Sequence, residues 1–298
     1  MPSIPAPGPA PSPTPAAKTA RRTLTHPGPI GPERVESRAG RSKQLAFTLK
    51  PGLTINEAIT GPLLDAGIQG AVVEIEGGAL GPFTYVLPAA SSDGKHAAYY
   101  SQPHVIEGLT RIERASVSVG LREDSPFIHC HGVWIEPDGS RRAGHMMPFE
   151  TVIAEPVTAR AWGLTDANFL AEPDSETNFT LFHPVGAEEA KGKPSAVLAR
   201  VRPNEDICEA VETLCRRHGI GSATVRGIGS LVGAEFGDGR IVGSHASEIL
   251  ITRGHVQADG AVTLEIAMVD MAGVIHEGRL IPGRNSVCVT FEIHVEEA

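Results

Sequence analysis

Aromatic side chains are scarce in this sequence, at 5% of residues, with three tyrosines and two tryptophans. Cysteine is scarcer. Cys130, Cys208, Cys215 and Cys288 form no Cys-x-x-Cys pair and no disulfide-rich spacing. That excludes a small disulfide-stapled scaffold and points to a reducing, cytoplasmic setting. No apolar run approaches the length of a membrane span, and the N-terminus lacks the apolar core of a signal peptide. Basic charge is also in deficit: Lys+Arg 26 against Asp+Glu 35 leaves a net charge of −9. Nucleic-acid binding leans on a basic surface that neutralises phosphate, so nucleic acid is an unlikely partner.

What is present is a histidine cluster. Pro126-Phe-Ile-His-Cys-His-Gly-Val-Trp134 is rich in strand formers, so His129 and His131 share one face and Cys130 takes the other. Pro137-Asp-Gly139 suits a three-residue hairpin loop, which pairs Glu136 with Ser140 and sets His131 opposite His145. A two-residue loop would instead place His145 opposite Gly132, facing away. In the three-residue register three imidazoles converge. With an open fourth position they make a divalent metal site, zinc first, able to polarise a substrate or activate water.

At 298 residues the chain holds about two domains. Residues 1–40 are Pro/Ala-rich and read as a disordered tail. A strand at 44–49 follows, then a helix capped by Thr54 and ending at Gly67, with Gly61-Pro62 expected to bend or interrupt it. A strand at 71–75 closes the phrase. The phrase returns: Pro51 matches Pro203, Gly67-Ile68 matches Gly219-Ile220, and Ala71 matches Ala223, each 152 apart, with Asp206 capping the second helix. Later landmarks, Gly139 with Gly273 and Gly144 with Gly278, lie 134 apart. The first copy is therefore longer by 152 − 134 = 18 residues, assigned to an inserted loop at 85–103. A repeat this regular means two copies of one α+β domain, 41–164 and 197–298, joined by a linker at 165–196. On this alignment His129, His131 and His145 fall on Thr263, Glu265 and Arg279, so the second copy's site is degenerate, with a Glu265–Arg279 ion pair expected in its place.

The inserted loop holds Tyr99, Tyr100 and Ser101 and reads as a functional loop or lid, the alternative being a surface hairpin. Candidate general acids or bases are Tyr99, Tyr100, His104 and Glu155. Arg141, Arg142 and Ser101 are candidate substrate-binding residues, the arginines through a two-pronged contact with a carboxylate. Gly192-Lys-Pro194 is not a phosphate-binding loop, and Gly227 to Gly233 does not match the dinucleotide fingerprint.

Both copies resemble the plants-and-prokaryotes-conserved (PPC) domain family. The resemblance rests on the strand-Pro-helix-Gly-Ile phrase, Gly227-Ile-Gly-Ser230, the hairpin from Asp138-Gly139 to Gly144-His145, and Thr290-Phe-Glu292. It implies an α+β fold: two tandem mixed α/β domains, each with a curved, mostly antiparallel sheet and one main helix. It also implies a metal at His129, His131 and His145, and assembly as a homotrimer. Plant members carry an AT-hook. This chain offers only Arg38-Ala-Gly-Arg41, without the proline, so the hook is not carried over. The function expected is a metal-dependent enzyme acting on a small anionic metabolite by hydrolysis, hydration or isomerisation. The alternative is a PPC-type regulatory or DNA-associated protein, or a ligand sensor, with a structural metal.

Overall fold

The structure, a computed structural model, describes residues 21–92, 94–186 and 194–298. In chain order the first copy contributes β1 (Val35–Gly40), β2 (Ser42–Leu49), α1 (Ile55–Asp65), β3 (Gly70–Glu76), β4 (Phe83–Val86), β5 (Thr110–Arg122), β6 (Ser125–Ile135), β7 (Arg141–Met146) and β8 (Val157–Leu164). A hairpin of β9 (Ala167–Pro173) and β10 (Thr180–Gly186) follows. The second copy adds β11 (Ala196–Val201), α2 (Ile207–His218), β12 (Ala223–Leu231), β13 (Ser247–Val256), β14 (Val262–Asp270), β15 (Ile275–Arg279) and β16 (Val287–Glu297). Shorter strands at Ala79–Leu80, Pro88–Ala89, Tyr99–Tyr100, His104–Ile106, Ala234–Glu235 and Ile241–Val242 lie in the connections.

The two copies share one strand order. The first sheet runs β2-β8-β3-β5-β6-β7-β4 and ends on His104–Ile106; the second runs β1-β11-β16-β12-β13-β14-β15. From β2 and β11 onward the two orders correspond strand for strand through β7 and β15, all with antiparallel neighbours. Each copy has one helix. The chain is thus mostly β, with two helices and two large antiparallel sheets.

Both helices start and stop on local chemistry. Thr54 and Glu57 form a capping box on α1. Asp206 accepts from the backbone of Cys208 and Glu209 at the start of α2, and Gly219 ends it in the left-handed conformation. α1 continues through Pro62 to Asp65 instead of breaking there. Pro62 lies in the last turn, and Leu63 beyond it is fully buried, so packing holds the helix past the residue that should end it.

Packing sets the layers. α1 buries Ile55, Ile59 and Leu63 against one face of the first sheet, where Cys130 and Trp134 also point. α2 does the same on the second sheet with Val211, Leu214 and Cys215. The opposite faces meet through Val133 and Ala143 of the first copy and Ile228, Leu250, Ala267 and Val269 of the second. Helix, sheet, sheet and helix are stacked, so the central strands are covered on both sides and bury nearly continuous runs.

The N-terminal reading needs correction. Residues 1–20 lie outside the described residues, but from Arg21 onward the chain makes defined contacts, and residues 35–40 are a strand paired with β11 of the second copy. β1 covers what would otherwise be an open edge of that sheet, and Val35 and Ser37 are buried there. Residues 167–186 of the linker are likewise structured: β9 and β10 pair with each other, and β9 joins β5 in parallel, while 187–193 lie outside the described residues. No helix among the described residues is long and apolar enough to cross a membrane.

The segment around β1 and the linker hairpin meet in a buried ionic network. Arg200 is fully buried and donates to Asp174 at 2.9 Å; Arg202 donates to Asp174 at 2.8 Å and to Glu36 at 2.6 Å; Arg34 donates to both oxygens of Glu176. Burial pushes the carboxyl pKa values of Glu36, Asp174 and Glu176 up, but hydrogen bonds and nearby charge (His183 first for Glu36, Arg200 for Asp174, Arg34 for Glu176) more than offset it, and all three sit below the ordinary range. A depressed folded-state pKa gives stability that is present above the unfolded value and lost as pH falls through the folded one. The melting temperature should therefore hold from neutral pH to about pH 4.5 and fall steeply below about pH 4. Asp174→Ala, which takes from the buried Arg200 its nearest carboxylate and leaves it only Glu36 at 3.8 Å, should cost about 3 kcal/mol in urea unfolding.

Candidate metal centre

The histidine hairpin has the register of a three-residue loop. Gly139 takes φ +84°, the Glu136 N–H donates to the Ser140 carbonyl at 2.9 Å, and His131 lies directly opposite His145. Because Cys130 and Trp134 face α1, strand alternation turns His129, His131 and Val133 toward the second sheet.

That sheet completes the site. β13 brings Glu248 and the carbonyl of Ile249; β16 brings Glu292. Gly229 on β12 permits the approach, since a Cβ there would stand 2.5 Å from the Cα of Phe291, next to Glu292. His129 Nδ1 lies 2.6 Å from Glu292 Oε2, and His131 Nδ1 lies 2.8 Å from the Ile249 carbonyl. Both acceptors demand a proton on Nδ1, which leaves each Nε2 with its lone pair outward. Those two Nε2 atoms are 2.9 Å apart, and His131 Nε2 is 2.8 Å from Glu248 Oε2. Three acceptors thus converge with no donor of their own between them, and only a proton or a cation can sit there. His145 joins them with a buried Nδ1 that has no hydrogen-bond partner. Burial, then the neighbouring His129 and His131, holds the His145 pKa well below its usual value, so this imidazole is neutral and free to ligate. Burial opposes charge on His129 too, but the Glu292 carboxylate raises its pKa overall. Ligand atoms of His129, His131, His145 and Glu248 all lie within 4.8 Å of one another, a group that can hold a metal ion. A carboxylate behind a ligating imidazole is a common device for fixing its tautomer, and Glu292 stands in that place.

Beside this group lies a cavity of about 350 Å³, walled by both copies and reaching His129, His145 and Glu248. Tyr100 lines it with its ring 5.2 Å from that of His145, and Tyr99 stacks on Phe179 at 5.6 Å. Burial raises the Tyr100 pKa far above the usual phenol value, so the hydroxyl keeps its proton and can serve as a hydrogen-bond donor but not as a base. The remaining candidates lie outside the cavity. His104 stacks on Tyr85 at 4.8 Å, and Glu155 pairs with Arg111 at 3.3 Å. The Ser101 hydroxyl is used within its own loop, accepting from Leu87 N–H and donating to the Gln102 carbonyl. Arg142 lies 3.9 Å from Glu136. Arg141 does make two-pronged contacts, but with Glu277 of the second copy at 3.2 and 2.9 Å, while its Nε reaches Glu113 at 2.8 Å. It ties the copies together. In the second copy Glu265 sits opposite Arg279 as aligned, yet its ion pair is with Arg253 at 4.0 Å; Arg279 turns to solvent. Sequence reasoning missed Glu248 and Glu292, because nothing local marks a carboxylate that reaches a site 103 or more residues away (248 − 145 = 103).

The family model of the Plants and Prokaryotes Conserved (PCC) domain matches residues 188–298. That stretch, the second copy, is similar to a PCC domain. The chain's solved likenesses include a plant- and prokaryote-conserved protein of Pyrococcus horikoshii (16% identity, 49% of this chain and 94% of that one, TM-score 0.39). A metal-containing protein of Archaeoglobus fulgidus shares 20% identity over 50% of this chain and 98% of that one, with TM-score 0.39. A protein of Bacteroides thetaiotaomicron, provisionally described as DNA-binding, shares 14% identity over 47% and 90%, with TM-score 0.37. No curated protein matches. The second half carries the PCC match, and the first half repeats its strand order around the histidines.

Replacing His131 or Glu248 by Ala should abolish or strongly reduce bound metal, and Glu292→Gln should weaken it about 10- to 100-fold, as read by plasma mass spectrometry after dialysis. Arg141→Ala should leave metal content unchanged and lower stability by about 1 kcal/mol, since the pair is over a third exposed.

Proposed function

We propose that this protein is a metal-dependent receptor for a small molecule, a ligand sensor in which a divalent ion, zinc first, ties the two PCC copies together beside the binding cavity. One observation carries this: Glu248 of the second copy closes on the three histidines of the first. Three histidines with an open fourth position would be the arrangement of a hydrolytic or hydratase metal site. A fourth protein ligand makes the closed, tetrahedral set used for structural metals. Because its ligands come from both copies, the free energy of metal binding is also free energy of docking one sheet on the other. A ligand entering the cavity meets residues of the insert, the linker hairpin and both sheets, so its occupancy is linked to how they sit together.

Turnover is the second reading. It is favoured by a cavity that reaches His129, His145 and Glu248 directly, and by Tyr100 as a protonated donor above them. DNA association, carried by the description of the Bacteroides relative, has the −9 charge against it, and the Arg38 region that might have served as a hook is in β1. Self-association as a homotrimer is carried by family likeness alone; light scattering that gives a monomer would remove it without touching a metal site whose four ligands share one chain.

The test is chelation followed by reloading. The metal-free protein should melt several degrees lower, with about one equivalent of zinc restoring the original transition. Unchanged melting with metal fully removed would defeat the receptor reading. Consumption of a bound small carboxylate over hours, followed by chromatography, would move the assignment to an enzyme.

A further inference from the structure

The cavity concentrates a scarce resource. The chain has nine Phe and three Tyr, and six of these twelve line this one cavity: Tyr99, Tyr100, Phe127, Phe149, Phe179 and Phe182. They come from the inserted loop, β6, the β7–β8 connection and the linker hairpin, so no single local packing need explains the gathering. Two remain substantially exposed, Phe149 at 56% and Tyr99 at 46%, although large aromatic surfaces are ordinarily covered. The volume is that of a small-molecule site.

Polar groups interrupt this largely apolar lining. Toward the outside, where the cavity adjoins a shallower groove, stands Arg122, its guanidinium carbon 5.4 Å from the centre of the Phe127 ring. It makes no ion pair among the described residues. Glu123 shares that groove and Glu150 lines the cavity, and neither is paired with Arg122. Elsewhere in the lining, Thr290 is 4% exposed and its Oγ1 has no hydrogen-bond partner. An unpaired buried hydroxyl in a cavity wall is a place for a polar group of the occupant.

Taking the cavity as a small-molecule site, as the reading above does, we infer that its occupant is an aromatic carboxylate. The ring lies among the Phe and Tyr side chains, where offset and edge-on ring contacts add to apolar burial. The carboxylate meets Arg122, whose planar fork suits it and whose other face already rests on Phe127. A hydroxyl on the ring reaches Thr290 Oγ1.

Titration calorimetry on the zinc-loaded full chain tests this with benzoate, 4-hydroxybenzoate and 4-hydroxycinnamate, against cyclohexanecarboxylate, benzyl alcohol and benzylamine. The aromatic acids should bind, the hydroxylated ones more tightly, and the controls at least tenfold more weakly. Arg122→Gln should weaken the acids roughly three- to tenfold and leave benzyl alcohol unchanged. Tyr99→Leu, at an exposed position that tolerates change, should weaken every aromatic probe and not cyclohexanecarboxylate. Equal binding of cyclohexanecarboxylate overturns the aromatic assignment, and preference for benzylamine overturns the charge. Acids that bind equally to Arg122→Gln sit carboxylate-first on the metal, which overturns the placement. Bound zinc with no binding of any probe defeats the inference while leaving the metal reading intact; absence of zinc defeats that reading itself.

Discussion

The structure turns on the lone pair of His131 Nε2, held 2.9 Å from that of His129 and 2.8 Å from a carboxylate oxygen of Glu248 across the junction of two sheets. Left alone, such acceptors repel. The backbone carbonyl of Ile249 and the carboxylate of Glu292 fix both tautomers so that neither ring can relieve the conflict by turning its N–H inward. Something positive must occupy the centre. That requirement falls on the contact between the copies, so the chemistry of the site and the docking of the sheets are one problem.

The rest of that contact is organised to permit it. Along the same strand face the histidines give way to Val133 and Ala143, which meet Ile228 and Leu250 in a dry patch. Arg141 and Arg226 clamp its borders, the first on Glu277 and the second 3.8 Å over the ring of Trp162. Apolar burial supplies attraction without direction; the ion pairs and the acceptor cluster supply register.

Much of this was legible from residue order. Pro137-Asp-Gly139 set the loop length, and loop length set His131 against His145. Gap-free spacing of the prolines, helices and glycines revealed the repeat, and its two helices begin at Thr54 and Asp206 as their capping chemistry requires. What stayed hidden was long-range. Val35 to Gly40 sits beside a Pro-rich stretch and becomes a strand because β11 presents an edge to it. Glu248 and Glu292 look like solvated carboxylates until the sheets are stacked. Arg141 reads as a substrate clamp for the same reason it is not one: its fork is matched to a carboxylate, and the protein provides that carboxylate itself.

β1 also changes what the two copies are. Only Arg41 separates β1 from β2, yet the first belongs to the second copy's sheet and the second to the first copy's. The linker hairpin returns the exchange by pairing with β5 while Asp174 and Glu176 hold Arg200, Arg202 and Arg34. The copies are therefore interlocked twice, once by strand pairing and once by buried ion pairs. On the proposed reading, an ion at their junction would not have to hold two free bodies together; it would add to a contact already made by strand pairing and ion pairs.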